Sequence, residues 1–465
     1  MLVKLNKNYT LNEKLIKELI DKHREEVKRI SDLEKLYKTG TKGALNRNIE
    51  SHKPNNKITN HYASYISNTL VGYILGVPVV INSINEDAKN IVERFDNLSD
   101  IASHNVKMAL NASIAGYAYE LSYIDDKARE KVAVLDTKEV IYCVENNIEE
   151  KPLFAIRYFD DITLKEGEYF VEIYKPDYIS YYKLDNKGLH KIEDDKINSF
   201  TDVPVSRLLN DTDELGDFEK VASLIEAYNI VQSDTANDFE YFTDAILALY
   251  GDLEEKYDPE TGEAIEHDFK NNKVVKLSEG SRVEWIIKQI NDVAVENYKN
   301  RLDKDIHKFS FCPDMSSETF GNTSGESLKW RISGLRYRGG IKIQYFKKLL
   351  ERRYKLLFNS LSFKTLANGS EILENIENLF EFKFTENIPQ NDTELISNVK
   401  NMEYIISAKT KAELLEGITN IDADEEIRRL QEERINEVGE TNFDFNNLAS
   451  DINKMLVEGK GDLNE

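Results

Sequence analysis

An α+β fold is predicted by three observations. From Tyr117 to Ile192, apolar and aromatic residues alternate with a period of two, the pattern of half-exposed strands. Before and after this block, apolar residues instead recur every three or four positions, the pattern of helices. A helix-length segment at Glu219–Tyr250 is then followed by a short turn-rich insertion and a second helical segment, about Asp292 to Phe311.

Residues 9–38 read as a highly charged helix with Ile16, Leu33 and Leu36 as scattered anchors. Together with a basic, polar loop at 39–54, this makes 1–54 an expected peripheral arm rather than part of a core. From Asn55, the residues Ile58, Tyr62, Ile66, Leu70 and Tyr73 form one apolar helical stripe. Gly76 and Pro78 stop it, and a strand is expected at Val77–Ile81. Residues 86–113 supply one or two helices, ended by Gly116. Strands are expected at Tyr117–Ile124, Val132–Leu135, Val140–Val144, Leu153–Phe159, Tyr169–Tyr174 and Ile179–Leu184. Turn signals such as Lys175–Pro176–Asp177 and Asp185–Asn186–Lys187–Gly188 separate them.

Residues 193–218 read as an acidic loop with one short extended piece, Val203–Val205. Glu219–Tyr250 then reads as a single helix, and about thirty residues span roughly 45 Å. Asp234, Asp238, Glu240 and Asp244 gather in its middle and read, on general grounds, as a solvated face. In the insertion, Lys273–Leu277 and Arg282–Ile287 are strand-like. The returning helix carries Val295, Tyr298, Leu302, Ile306 and Phe309 on its stripe, and Pro313 ends it. Asp314–Ser324 is small and polar, too poor in apolar residues to build a core, and reads as a loop. Thr323 and Glu326 stand in capping-box spacing and open a long helix. Gly334 and Gly339–Gly340 are expected to kink it. A strand at Glu381–Thr385, helices at Asn391–Leu415 and Asp422–Glu437, and a disordered tail complete the chain.

Composition narrows the chemistry. The 465 residues suggest two to four domains. The two cysteines, Cys143 and Cys312, are far apart in sequence, so a disulfide scaffold is not expected and a reducing compartment is. No signal-peptide core or apolar run of membrane-spanning length occurs, so no membrane partner is expected. The glycine-containing Gly321–Gly325 stretch lacks the lysine of a phosphate loop. The histidines His23, His52, His61, His104, His190, His267 and His307 show no metal-ligand spacing. The acid pairs Asp125–Asp126, Asp160–Asp161 and Asp194–Asp195 read as surface turns. No catalytic residue, metal or cofactor is therefore expected, and the chain is read as not an enzyme.

The net charge of −23 is opposite to that of a protein gripping duplex DNA through counterion release. Against it stands one basic helix. From Gly325 to Phe358 there are ten Lys/Arg and two Asp/Glu, a net +8.

Three stretches carry a family resemblance. They are Phe311–Phe358 (FCPDMSSETFGNTSGESLKWRISGLRYRGGIKIQYFKKLLERRYKLLF), Asn55–Ile81 (NNKITNHYASYISNTLVGYILGVPVVI) and Phe380–Asp392 (FEFKFTENIPQND). Their order and spacing resemble the bacteriophage portal proteins, the head-to-tail connectors of siphophages infecting Gram-positive hosts, over residues 50 to 440. The resemblance implies a wing at 55–218, a stem helix at 219–250, a clip at 251–289 and a returning stem helix at 290–312. A tunnel loop at 313–325, a kinked basic wing helix at 326–361, a wing return strand and crown at 362–440, and a disordered tail at 441–465 would follow.

The resemblance further implies a homo-oligomeric ring, a dodecamer, at one capsid vertex of the virion, assembled in the host cytoplasm. Double-stranded DNA would pass through it without sequence specificity, during packaging and ejection. The implied partners are the terminase large subunit, the major capsid and scaffolding proteins, and a head-tail adaptor. Expected to face DNA is the loop Asp314, Met315, Ser316, Ser317, Glu318, Thr319, Phe320, Gly321, Asn322, Thr323 and Ser324. It has no Lys or Arg, so it would touch the duplex sterically, with Phe320 foremost. Asp234, Asp238 and Asp244 are candidate wall residues, repelling phosphate over about 8–10 Å. Lys299, Lys304 and Lys308 either line the channel or bridge subunits. Lys329, Arg331, Arg336, Arg338, Lys342, Lys347, Lys348, Arg352 and Arg353 are expected to face a neighbour across a heterologous ring interface. Two rival classes remain open at this point: a DNA-processing phage enzyme (a nuclease or packaging ATPase), and a non-viral helical adaptor.

Overall fold

The computed structural model describes residues 1–50, 53–83, 85–242, 246–250, 280, 282–286, 292–315, 325–364, 379–387, 392–402, 405–419, 421 and 423–440. Two units divide the chain, Met1–Asn387 and Ile388–Glu465.

The first unit is built on a seven-stranded sheet. Its strands are β1 (Leu2–Leu5), β5 (Val140–Glu145), β6 (Pro152–Phe159), β7 (Tyr169–Tyr174), β8 (Tyr178–Asp185), β9 (Gly188–Lys191) and β10 (Lys196–Ile197). β1 lies parallel to β5, and the other pairings are antiparallel. A second sheet runs β11 (Val205–Leu209), β3 (Tyr117–Ile124), β4 (Glu130–Leu135). The two share a core. Val140, Tyr142 and Val144 pack with Tyr117, Tyr119, Leu135 and Val205. Ile141 and Cys143, on the opposite face of β5, pack with Phe154, Ile156, Val171 and Ile173. β5 is thus buried on both faces, which explains its unbroken apolar run.

The helix α1 (Glu13–Thr39) covers that second face with Ile16, Leu19 and Ile20. Ile30, Leu33 and Leu36 are buried further along it. The expected peripheral arm is therefore corrected: α1 is a core helix. Asn12 caps it, accepting from the Leu15 N–H at 2.9 Å, and Gly40 closes it with φ 77°. His23 lies fully buried on the same face, its Nδ1 2.8 Å from the Tyr158 hydroxyl, and burial lowers its pKa to about 3.

Further helices are α2 (Tyr62–Leu75), α3 (Glu86–Ser99) and α4 (Ile101–Ala115), with β2 (Val80–Ser83) between α2 and α3. Ile58, expected on the α2 stripe, lies before the helix. Gly116 ends α4 with φ +93°, and a Cβ there would sit 1.9 Å from the Glu214 carbonyl, so only glycine fits.

α5 (Ala222–Phe242) follows a 3-10 turn at Glu219–Val221. The single helix expected to Tyr250 is corrected, because Ile246–Tyr250 is a strand, β12. It pairs with β13 (Arg282–Ile286), which the sequence did anticipate as strand-like. α6 (Asp292–Ser310) returns and packs against α5. Then come α7 (Gly325–Arg331), α8 (Ser333–Lys364) and β14 (Phe380–Lys383), which pairs antiparallel with β2.

Gly339–Gly340 do not interrupt the helix, since α8 runs from Ser333 to Lys364. A Cβ at Gly339 would lie 2.5 Å from the Tyr73 ring, so this glycine lets α8 approach α2 closely. The break falls at Ile332, between α7 and α8. The second unit contains α9 (Asp392–Asn401), α10 (Ala408–Thr419) and α11 (Ala423–Glu440), where one helix had been expected across Asn391–Leu415. The expected strand Lys273–Leu277 and the 441–465 tail lie outside the described residues.

Candidate functional site

The site begins where α5, β12, β13 and α6 form an up-and-back path. Polar residues 3 or 4 apart mark one face of α5: Glu226, Asn229, Ser233 and Asn237. An extended strap of the chain lies along that face. The N–H groups of Asn60, Ile58 and Asn56 donate to Asn229 Oδ1 at 2.8 Å, Ser233 Oγ at 3.0 Å and Asn237 Oδ1 at 2.6 Å. Two extended residues advance about 6.7 Å and four helical residues about 6 Å, so the repeats match. The Thr41 hydroxyl and the Lys42 N–H donate to Glu226. The basic, polar loop at 39–54 is thus tied to α5 at Thr41 and Lys42, and the strap that follows it at Asn56, Ile58 and Asn60.

Arg47, from the same strap, pairs with Asp234 at 2.7 Å. The wall charge expected at Asp234 is therefore balanced within the chain. Asp238 is half-buried on α5, and Asp244 lies outside the described residues. On α6, Leu302 and Ile306 are buried. Lys299 pairs with Glu296 at 2.9 Å, whereas Lys304 and Lys308 are exposed, the Lys308 ammonium 5.4 Å from the Phe309 ring.

The chain leaves α6 through a built root. Phe311 takes φ 58° and Cys312 is buried, its thiol pKa pushed up to about 12 by that burial. His307 Nδ1 donates to the Cys312 carbonyl at 2.8 Å. The Tyr65 hydroxyl donates to the Pro313 carbonyl and accepts from the Met315 N–H, each at 2.8 Å. Tyr62 donates to Asp303 at 2.7 Å, and burial together with that carboxylate raises its pKa. A cavity of about 370 Å³ lies here, lined by Tyr62, Tyr65, Asp303, His307 and Asp314 among others. Of the expected DNA-facing loop, Asp314 and Met315 are described. Ser316, Ser317, Glu318, Thr319, Phe320, Gly321, Asn322, Thr323 and Ser324 lie outside the described residues.

The basic helix differs most from expectation. Arg353 and Lys342 are buried inside the subunit, and Arg338 and Arg352 bond its own carboxylates. These four are corrected as ring-facing residues. Arg353 grips Glu120 at 2.7 Å with both side chains fully buried, and Asn105 and His104 complete the cluster. Burial alone would raise the Glu120 pKa, but the Arg353 charge overrides it and holds it near 2. Lys342 contacts Asp217 at 2.6 Å, and Arg338 reaches Asp217 at 3.2 Å and Asp211 at 2.7 Å. Asp217 also accepts from Ser113 at 2.6 Å, and against its burial the two cations keep its pKa low. Arg352 bonds Asp202 at 3.2 Å.

Lys329, Arg331, Arg336 and Lys348 are exposed and Lys347 half-buried, with Arg336 3.2 Å from Glu386. Between them Trp330 is 76% exposed and Tyr337 70%. The acids that draw the four bases inward were missed from sequence. One signal was available: Glu120 is the one charged residue of β3, and a carboxylate buried there requires a cation.

The paired helices α5 and α6 thus lead to the β12–β13 pair, the residues after α6 are bonded by α2, and the basic helix is bonded to carboxylates of its own chain. A family model described as "Phage portal protein, SPP1 Gp6-like" matches residues 16–440. The portal protein of Bacillus phage SPP1 is 23% identical over 445 residues, covering 90% of this chain and 86% of the relative. The portal protein of Clostridium phage phiCD119 is 23% identical over 423 residues, covering 85% and 88%. A solved structure, the neck of an empty GTA particle computed with C6 symmetry, aligns with a TM-score of 0.41 and 11% identity over 76% of this chain and 88% of that chain.

The chain belongs to the SPP1 Gp6-like phage portal family. Its function is that of a phage portal, a dodecameric head-to-tail connector of the virion capsid that serves genome packaging. The family is structural rather than catalytic. Among the described residues, no helix is long and apolar enough to cross a membrane.

Proposed function

We propose that the polypeptide leaving α6 at Pro313–Met315 enters the bore of the ring, and that Asp314–Ser324 meets double-stranded DNA there without reading its sequence. The observation that carries this reading is the anchored root: a loop that must hold position against a moving polymer needs a fixed base, and Tyr65 and His307 bond its main chain. Lacking Lys and Arg, the loop has no cation to clamp phosphates. The exposed Lys304 and Lys308 face either this channel or the adjoining subunit, and Asp238 and Asp244 belong to the wall.

The exposed remainder of α7 and α8 forms the ring contact. Lys329, Arg331, Arg336, Lys347 and Lys348 flank Trp330 and Tyr337, a rim-and-centre arrangement suited to an acidic neighbour. The terminase large subunit supplies the motor, the capsid and scaffolding proteins surround the ring, and a head-tail adaptor docks on the 251–289 region. Assembly takes place in the host cytoplasm, and ejection uses the same passage.

Deleting Glu318–Asn322 is expected to leave rings intact by negative-stain microscopy and native mass while sharply lowering DNA content per capsid. Wild-type DNA content in that variant would sink the loop's role. Hydrolysis of ATP or cleavage of DNA by the purified ring would instead favour a DNA-processing enzyme.

A further inference from the structure

α2 presents Tyr62, Tyr65, Thr69 and Tyr73 at helical spacing on one side. That side touches α6, the residues that follow it, and α8. The Tyr62 hydroxyl bonds Asp303 of α6 at 2.7 Å, and its ring meets His307 with centroids 5.9 Å apart. The Tyr65 ring meets the same histidine at 5.8 Å, nearly perpendicular. Two turns on, the Tyr73 ring fills the space left by the absent side chain of Gly339 on α8. One helix therefore contacts both α6, which enters the loop, and α8, the second helix after it.

The Tyr65 hydroxyl has a particular geometry. It donates to the carbonyl before Asp314 and accepts from the amide after it. A hydroxyl can do both at once, so it bridges a turn whose two main-chain groups do not bond each other. Pro313 has no N–H of its own to fix the turn from within. His307 secures the preceding carbonyl, that of Cys312. The heading of the chain at Asp314 is consequently set from outside, by α2.

We propose that Tyr65 is the positioning residue of the loop: its hydroxyl fixes the direction in which Pro313–Met315 leaves the returning helix, and through that the placement of the loop against passing DNA. The inference rests on the reading that the loop faces DNA.

The test substitutes Tyr65→Phe, which keeps the ring and removes the hydroxyl that makes the bridge, together with its bond to Thr69 one turn on. Tyr37→Phe is the matched control, since it removes a tyrosine hydroxyl bonded at 3.0 Å to Asn68 of the same helix. In the Tyr65→Phe ring, Met315 amide exchange is expected to rise roughly five- to tenfold. Melting temperature and ring mass should match wild type, and DNA content per capsid should fall several-fold; Tyr37→Phe should leave exchange and DNA content unchanged. Wild-type DNA content in Tyr65→Phe, alongside loss of packaging on deleting Glu318–Asn322, overturns the positioning role and leaves the loop reading standing. Wild-type packaging in the deletion overturns the loop reading itself. Should Tyr65→Phe fail to assemble, exchange on the wild-type ring decides: a protected Met315 amide supports the bridge, and an unprotected one overturns it.

Discussion

α1 and α8 are both long and rich in charge, yet they dispose of it in opposite ways. α1 turns apolar residues to the sheet and leaves most of its ions in water, with pairs such as Lys17–Glu13 at 2.7 Å and Lys14–Glu18 at 3.9 Å. Its deeper ions are Arg29, held by Glu26 of the same helix and by Glu219, and Glu34, held by Lys138. α8 turns Arg338, Lys342, Arg352 and Arg353 inward, onto acids from three different places: Asp202, the Asp211–Asp217 turn, and Glu120 of β3. Exposed pairs on α1 contribute little, because water screens them and long side chains must be ordered. Buried pairs on α8 need not stabilise the fold relative to an apolar core, but breaking one leaves a charge without a partner. The difference teaches that α8 adds an ionic key to its apolar packing, whereas α1 is held by apolar packing.

The largest effect should come from breaking the key. Arg353→Met leaves Glu120 buried beside His104 and should cost about 3–5 kcal/mol, read by chemical denaturation. The pH dependence sharpens the comparison. In the wild type the Glu120 pKa lies near 2, below its ordinary value of 4.5. Its stabilising contribution is therefore complete above about pH 4.5 and is lost as pH falls toward 2. In Arg353→Met that acid-side loss should vanish, because the carboxyl no longer gains from ionising. A loss under about 1 kcal/mol would mean that α8 is held by packing after all.

The comparison also explains what could be read from the sequence. The strands between Tyr117 and Leu184 were legible because Tyr, Ile and Val alternate there and turn residues punctuate them. The α6 stripe was legible in Leu302 and Ile306, both buried. α1 was misread because its apolar positions are separated by ions, although Ile16, Leu19, Ile20, Ile30, Leu33 and Leu36 keep helical spacing. The strap on α5 was invisible for a different reason: its anchors are main-chain amides, which a sequence does not display. Tyr65 was hidden likewise, since both its partners are main-chain groups about 250 residues away. Gly339 was taken for a kink because a glycine in a helix signals either bending or close approach, and the sequence of α8 alone does not name the Tyr73 ring that decides between them.

A smaller effect, of opposite sign, is expected where α8 meets α3. Asp96 accepts from the Tyr354 hydroxyl at 3.0 Å, and burial raises its pKa from 3.8 to about 6. The folded state thus holds this proton more tightly than the unfolded chain. Its contribution is complete below pH 3.8 and is lost as pH rises through about 6. Asp96→Asn keeps an acceptor for Tyr354 without the charge. It should raise stability at pH 7 by about 1 kcal/mol, a gain limited because the position is only partly buried. It should also flatten the stability profile between pH 4 and 6. A destabilised Asp96→Asn at pH 7 would show that the Asp96 charge supports Arg353, extending the ionic key to a third element.

The smallest effect belongs to the other helix. Lys17→Ala removes the 2.7 Å pair with Glu13, both partners more than two-fifths exposed. Alanine is the best helix former, so the lost pair is offset by propensity. The melting temperature should not change, and adding salt should shift wild type and variant alike. If Lys17→Ala melted as early as Arg353→Met, the contrast between the helices would fail. Charge on α1 would then be structural as well, and its pairing with the sheet would have to be explained by more than Ile16, Leu19 and Ile20. If instead the two variants separate as expected, the ions of α1 are free for another role. An outward helix face carrying both signs can change its ion partners without loosening the core beneath it. The α8 lattice cannot, because each of its four cations already bonds a carboxylate of its own subunit.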